Sequence, residues 1–368
     1  HIFLYARQAP GRRGRRPLHR FFRIRSPRTF SSESYRSLEM AGDTCYLTDK
    51  GGVAYTLDLA TGERTFCFQG PADVSWTADD TMEHLYYVED KILREMETAT
   101  GKTRDLLDMT ADASVQAMAD YEIMDKEVSW EVLGVSEHYV MFDMKTTYGE
   151  NYHYDVYALN LETLEISSVL LEEDGETGGP AVAMWANERM GGPVVFLGDT
   201  VFTALWYSTR LHGEEETQTL ALSAIDLAQG TVDQLAILGY DSDYTVPAAI
   251  AVTKDKQLLY VLMGQEEIYE LSPDTGKSVL LTKLPIETHA ATIDWFDAMS
   301  KDGTLLTTID IEVNETKLYH MDVSTGAISE VTRFADSFNL HTLVTDGEHY
   351  GIMGYLNGKM LVILGDLP

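Results

Sequence analysis

The stretch YTLDLATG at residues 55–62 indicates a repeat protein, because most of its pattern returns five more times along the chain. The related boxes are REMETATG at 94–101, YALNLETL at 157–164, SAIDLAQG at 223–230, YELSPDTG at 269–276 and YHMDVSTG at 319–326. Each box has an apolar third residue, and a short apolar stretch lies before and after it. The fourth residue is mostly short and polar, so it can bind turn amides, and the final glycine supplies a positive φ. Each box therefore predicts a turn between two antiparallel strands.

A second hairpin signal precedes several boxes, as in AGDT at 41–44, SKDG at 300–303 and TDGE at 345–348. Together the two signals define a unit of four short antiparallel strands, which is typical of a β-propeller blade. The spacings between box ends run from 39 to 66 residues, and the two longest indicate insertions. We predict a short helix over residues 110–127 and a longer hairpin or acidic loop over about 205–218.

The last part of the chain sets the number of blades. Residues 338–368 provide three more strands, with an Asn-Gly hairpin at Asn357 and Gly358. We therefore predict an all-β propeller of seven four-stranded blades, within a range of six to eight. A strand within residues 20–30 is expected to complete the last blade, with Phe22 and Ile24 on its apolar side. Residues 1–19 are predicted to be a disordered or leader-like basic arm, and residues 20–368 a single propeller domain.

Charge divides the chain into two parts. Residues 1–32 carry nine arginines and no acidic residue, so subtracting +9 from the net charge of −31 leaves −40 on the remaining 336 residues. The acidic body repels nucleic acid and attracts cations or basic partners. The arm is interpreted as a leader, a translated upstream stretch or a clamp on the acidic body, and it could by itself bind nucleic acid or anionic lipid.

Other features of the sequence bear on membrane spans, disulfides, oligomeric state and location. No run of 18 apolar residues occurs, so no membrane span is expected. Cys45 and Cys67 are expected to lie two strands apart in one sheet, too far apart to bridge, and to be free thiols. We also expect a monomer, an extracytoplasmic location in a bacterium, and an N-terminus that is processed or incomplete.

The boxes of the form Tyr-x-apolar-Asp-x-x-Thr-Gly, with their preceding Asp-Gly hairpins, resemble the PQQ-like and YncE/YVTN-like β-propellers of bacteria. The resemblance covers residues 35–368. It implies architecture and leaves activity open, since that superfamily includes quinoprotein dehydrogenases, envelope assembly proteins and surface-layer repeats. True quinoproteins usually have eight blades with a tryptophan docking motif in each. Tryptophan is sporadic in this chain, so no cofactor is expected.

The candidate ligand-binding residues are aromatic and histidine side chains near inner strands. Trp130 and Trp295 lie at similar distances before a strand turn, which places them at a rim of the central channel. Trp185 is assigned to the same set, and His289 lies just ahead of an inner strand. Such a rim could stack a flat or carbohydrate ligand, although packing between blades is the alternative for the tryptophans.

No catalytic or metal motif stands beside these residues. The sequence contains no His-Glu-x-x-His, Cys-x-x-Cys, Gly-x-Ser-x-Gly or phosphate-loop pattern, so no catalytic residue and no metal ligand is assigned. Two acidic clusters are interpreted as solvated loops rather than calcium sites: Asp241 with Asp243, and Glu172, Glu173 and Asp174.

The leading hypothesis is a non-enzymatic propeller that binds a protein, peptide or glycan on one face of the ring. The alternative is an enzyme with a site at the central channel, either a metal-assisted lactonase or lyase or a quinoprotein-like dehydrogenase.

Overall fold

The chain is a seven-bladed β-propeller, as predicted. The computed structural model describes residues 28–31, 35–72, 74–111, 127–148, 151–170, 181–183, 194–209, 217–240, 243–244, 247–262, 267–273, 275–284, 291–292, 299–310, 315–335, 339–356 and 359–368. Their secondary structure consists of thirty strands in seven antiparallel sheets. None of these residues forms a helix with the length and apolar character needed to cross a bilayer.

The first three blades follow the four-stranded plan from the inner strand outward. Blade 1 contains β2 (Tyr35–Ala41), β3 (Thr44–Asp49), β4 (Val53–Leu57) and β5 (Arg64–Gln69). Blade 2 contains β6 (Trp76–Ala78), β7 (His84–Glu89), β8 (Ile92–Glu97) and β9 (Lys102–Asp108). Blade 3 contains β10 (Glu127–Val135), β11 (Tyr139–Tyr148), β12 (Asn151–Asn160) and β13 (Ile166–Leu170).

Blades 5 to 7 repeat this plan, and the last blade takes its outer strand from the start of the chain. Blade 5 contains β20 (Pro247–Val252), β21 (Leu258–Leu262), β22 (Glu267–Ser272) and β23 (Lys277–Lys283). Blade 6 contains β24 (Ala291–Thr292), β25 (Leu305–Asp310), β26 (Glu315–Asp322) and β27 (Ala327–Ala335). Blade 7 contains β28 (Asn339–Thr345), β29 (His349–Leu356), β30 (Lys359–Asp366) and β1 (Arg28–Ser31).

Blade 4 elaborates the plan with six strands: β14 (Ala181–Ala183), β15 (Val195–Leu197), β16 (Thr200–Thr209), β17 (Thr217–Asp226), β18 (Thr231–Tyr240) and β19 (Asp243–Tyr244). The short β14 and β15 both pair with β16 and share the inner position. The β16 to β17 ladder extends to the pair Thr209 and Thr217, which confirms a longer hairpin here. The helix predicted over 110–127 falls mostly on residues outside the described part of the chain.

Strand β1 closes the ring. It pairs with β30 in antiparallel register, with Arg28 opposite Leu364 and Ser31 opposite Leu361. Closure by an N-terminal strand is therefore confirmed, and the described strand lies at the end of the stretch where it was predicted. Phe22 and Ile24 lie outside the described residues. Without β1, the backbone groups of β30 would form an exposed edge.

Each of the six boxes joins the third and fourth strands of its blade. The N–H of the last box residue donates to the carbonyl of the fourth, at 2.7 to 2.9 Å in all six boxes. The last residue has a positive φ in each, including Leu164 at 58° where the others have glycine. The side chain of the fourth residue caps the turn, as when Asp58 Oδ1 accepts the Thr61 N–H at 2.7 Å. These turns define one face of the ring, called here the Thr-Gly face.

A β-bulge follows every box at a fixed distance. Five residues after the last box residue, the outer strand has a residue without an opposite partner in the register; these residues are Cys67, Leu106, Val169, Leu235, Leu281 and Val331. A bulge bends and twists its strand. In two places it also brings the strand against the next blade. A Cβ on Gly276 would lie 2.5 Å from the Leu235 carbonyl oxygen, and one on Gly326 would lie 2.7 Å from that of Leu281.

The hydrophobic core is divided into seven clusters, and each cluster fills the space between two neighbouring blades. Between blades 2 and 3, for example, Tyr86 and Leu93 pack with Phe142 and Tyr157. Both faces of a blade are therefore buried. This explains why the middle strands are apolar on both sides, as in LLYVL of β21, where all five residues are buried.

Cys45 and Cys67 lie on β3 and β5 with β4 between them, and both are free thiols, as predicted. Cys45 is buried and Cys67 is exposed at the bulge of blade 1. Burial, with the nearby Asp346 and Glu39 carboxylates, raises the pKa of the Cys45 thiol to about 12. The thiol of Cys45 is therefore protonated and inert at neutral pH.

Removal of β1 should open the ring. We expect deletion of residues 1–33 to lower the melting temperature by roughly 5 °C, because backbone hydrogen bonds worth about 0.5–1.5 kcal/mol each are lost. Deletion of residues 1–18 is the control and should leave the melting temperature nearly unchanged. Equal melting temperatures for both truncations and the full chain would show that closure does not depend on β1.

The contact between blades 4 and 5 can be tested at a glycine. Gly276→Ala should destabilise the protein by about 2–4 kcal/mol, because the substitution combines a positive φ with a clash against a backbone oxygen. Gly101→Ala is the matched control: its φ is 68° and a Cβ there meets nothing within 4 Å. Gly101→Ala should lower the free energy of unfolding, measured by chemical denaturation, by only about 1–2 kcal/mol. Equal losses would mean that the contact with Leu235 contributes nothing.

The two thiols should differ in reactivity. In the native protein, a maleimide should label one thiol per chain, at Cys67, because Cys45 is 4% exposed. Unfolding in the absence of reductant should release the second. Cys67→Ser should abolish native labelling, and native labelling of two thiols would contradict the burial of Cys45.

Candidate functional site

A cleft of about 530 Å³ lies between blades 2 and 3. It is bordered by the turn between β7 and β8, at Glu89 and Asp90, and by the first half of β10. Because the turn between the second and third strands lies at the opposite end of β8 from the box turn, the cleft opens on the face opposite the Thr-Gly face. Its lining residues are Val74, Ser75, Val88, Glu89, Asp90, Ser129, Trp130, Glu131, Val132, Asp143 and Lys145.

The same three residues lead into the inner strands of both blades. Val74-Ser75-Trp76 enters β6, and Val128-Ser129-Trp130 lies in the first half of β10. Both tryptophans are half-buried and pack into the apolar cluster between their own blade and the preceding one. In each, the indole Nε1 is shielded from solvent and has no hydrogen-bond partner. A buried donor without an acceptor is rare in folded proteins and calls for an explanation.

The wall of the cleft formed by Val74 and Ser75 is anchored from blade 1. Arg36 on β2 donates from Nη1 to the Val74 carbonyl at 2.6 Å. Its guanidinium also lies over the Trp76 ring, with Cζ 5.7 Å from the ring centroid. On the other side, Thr77 Oγ1 donates to the Val132 carbonyl at 3.3 Å and joins β6 to β10. Three successive inner strands are thus held together around the cleft.

Carboxylates dominate the polar lining. Asp143 is only 5% exposed, and its Oδ1 accepts the Glu131 N–H at 3.2 Å. Glu89 forms an ion pair with Arg94, whose Nε also donates to Asp105 Oδ1 at 2.9 Å. Glu89 also affects a tyrosine on its own strand, β7: burial raises the pKa of Tyr87, and the Glu89 charge adds to that rise. Tyr87 is therefore a neutral phenol at physiological pH.

Of the predicted site residues, Trp130 is the one that the structure describes. It lies on the inner strand of blade 3, where it both packs against the cluster between blades and lines the cleft. Trp185, His289 and Trp295 lie outside the described residues, so their proposed grouping with Trp130 stays a prediction. The side chains of the two predicted acidic loop clusters, around Asp241 and Glu172, lie outside them too.

Several residues of the cleft were missed by sequence reasoning. Ser129 and the neighbouring Val74 and Ser75 had a sequence signal, the Val-Ser-Trp that is repeated at the start of two inner strands. Asp143 and Lys145 gave no such signal. They lie in MFDMKTTY, a strand whose alternation does not distinguish a buried carboxylate from a solvated one.

A second hollow of about 410 Å³ lies on the Thr-Gly face between blades 7 and 1. Its acidic residues include Asp58 and Asp346, whose carboxylates already accept turn amides. Across the described part of the chain, no group of three or more His, Cys, Asp or Glu side chains is arranged to hold a metal ion.

The fold is similar to those of solved propellers. An oligogalacturonate lyase in complex with manganese shares 15% identity and a TM-score of 0.53, over 88% of this chain and 85% of that one. An oligogalacturonate lyase from Vibrio parahaemolyticus shares 11% identity and a TM-score of 0.52, over 93% and 92%. At such identities the likeness shows a common propeller fold and nothing about activity. No protein-family model and no curated protein sequence matches the chain.

Proposed function

We propose that this chain is a non-enzymatic propeller that binds a protein, peptide or glycan in the cleft between blades 2 and 3. The observation that carries the proposal is the half-buried Trp130 in the lining of a concave, acid-lined cleft. An aromatic ring, convergent polar groups and a hollow of several hundred cubic ångströms are the usual parts of a ligand site.

The position of the cleft in the ring supports the same function. On the Thr-Gly face, the fourth residues of the boxes use their polar groups to cap turns, as Asp226 does for two backbone amides. On the opposite face, the groups around Trp130 come from two blades and from the connection that precedes β6. A ligand there would contact rigid strands, which hold a binding geometry better than loops do.

We further propose that the chain is a PQQ-like or YncE-like propeller that acts without a cofactor as a monomer, outside the cytoplasm of a bacterium. The six boxes and their residue pattern support the family assignment. The location is supported by that resemblance alone. The enzymatic alternative, a lyase or lactonase with channel residues such as His289, has fold-level similarity to the oligogalacturonate lyases as its motivation.

Binding at Trp130 can be tested on glycan and peptide arrays. Trp130→Ala should reduce the signal of bound ligands by about tenfold or more, because it removes a large aromatic surface from the lining of the cleft. Phe66→Ala is the matched control, since Phe66 is an aromatic residue 61% exposed on the outer strand of blade 1. Circular dichroism should show that both variants are folded.

The same ligands decide between binding and catalysis. After incubation with the full chain, a bound ligand should be recovered with its mass unchanged. Cleavage of oligogalacturonate to an unsaturated product, followed by its ultraviolet absorbance, would overturn the non-enzymatic proposal. Array signals that are equal in the wild type, Trp130→Ala and Phe66→Ala would place the ligand site elsewhere.

A further inference from the structure

We draw no further inference here: the strongest candidate, the hollow on the Thr-Gly face between blades 7 and 1 that Asp43, Asp58 and Asp346 line, is an acidic cluster in which Asp58 and Asp346 already accept turn amides, and no second observation among the described residues points to a ligand there.

Discussion

The pairing of β1 with β30 holds the ring of blades closed. Exposure of an apolar sheet face to water is unfavourable. Because both faces of each blade are apolar, each blade needs a neighbour on each side. In a linear array of seven blades, the first and last would each expose one apolar face. Closure removes both exposed faces together, because the cluster between blades 7 and 1 joins Val344 and Val362 to Leu38 and Leu47. The strand that joins the two ends of the chain in one sheet keeps that last interface in place.

Each box is associated with two features of its blade. Its final residue lies in the turn that reverses the chain, and the β-bulge five residues later bends and twists the outer strand. At the two junctions from blade 4 to blade 6, the bulge carbonyl lies against the turn glycine of the next blade. In blade 2, by contrast, a Cβ on Gly101 would meet nothing within 4 Å. The last residue of the box therefore has two physical roles. It adopts a positive φ in every copy, with Leu164 in place of glycine in blade 3, and it allows close approach only where adjacent blades converge.

The fold could be predicted from the sequence because its signals are local and repeated. The polar fourth residue, the turn glycine and the flanking apolar stretches lie within a few residues of one another, and six copies average out individual departures such as Leu164. The split inner position of blade 4 was not predicted. Strand β15 forms a local hairpin with β16, but β14 also pairs with β16, with Ala183 opposite Trp206, and no local pattern encodes that second pairing.

The site was predicted less completely, for a related reason. Trp130 could be selected because aromatic residues near an inner strand are visible in a sequence. The cleft beside it, however, depends on which blade follows which and on Arg36, which holds the Val74 carbonyl from a strand 38 residues away. Burial of Asp143 depends on the packing of neighbouring elements around β11, and that packing follows from the closed ring rather than from the strand's own residues.

The contrast between the two faces shows why a recurring box marks a scaffold. Where the fourth residue of a box is Asp or Asn, its side chain accepts backbone amides of its own turn, so its acceptor groups are already used by the fold. A binding site needs polar groups that the fold leaves unsatisfied. Trp76 and Trp130 are two such groups at related positions in adjacent blades, and a buried donor left without an acceptor costs about 1–3 kcal/mol. Both donors are shielded from solvent, so the cleft presents to a ligand the exposed part of Trp130 and not its N–H.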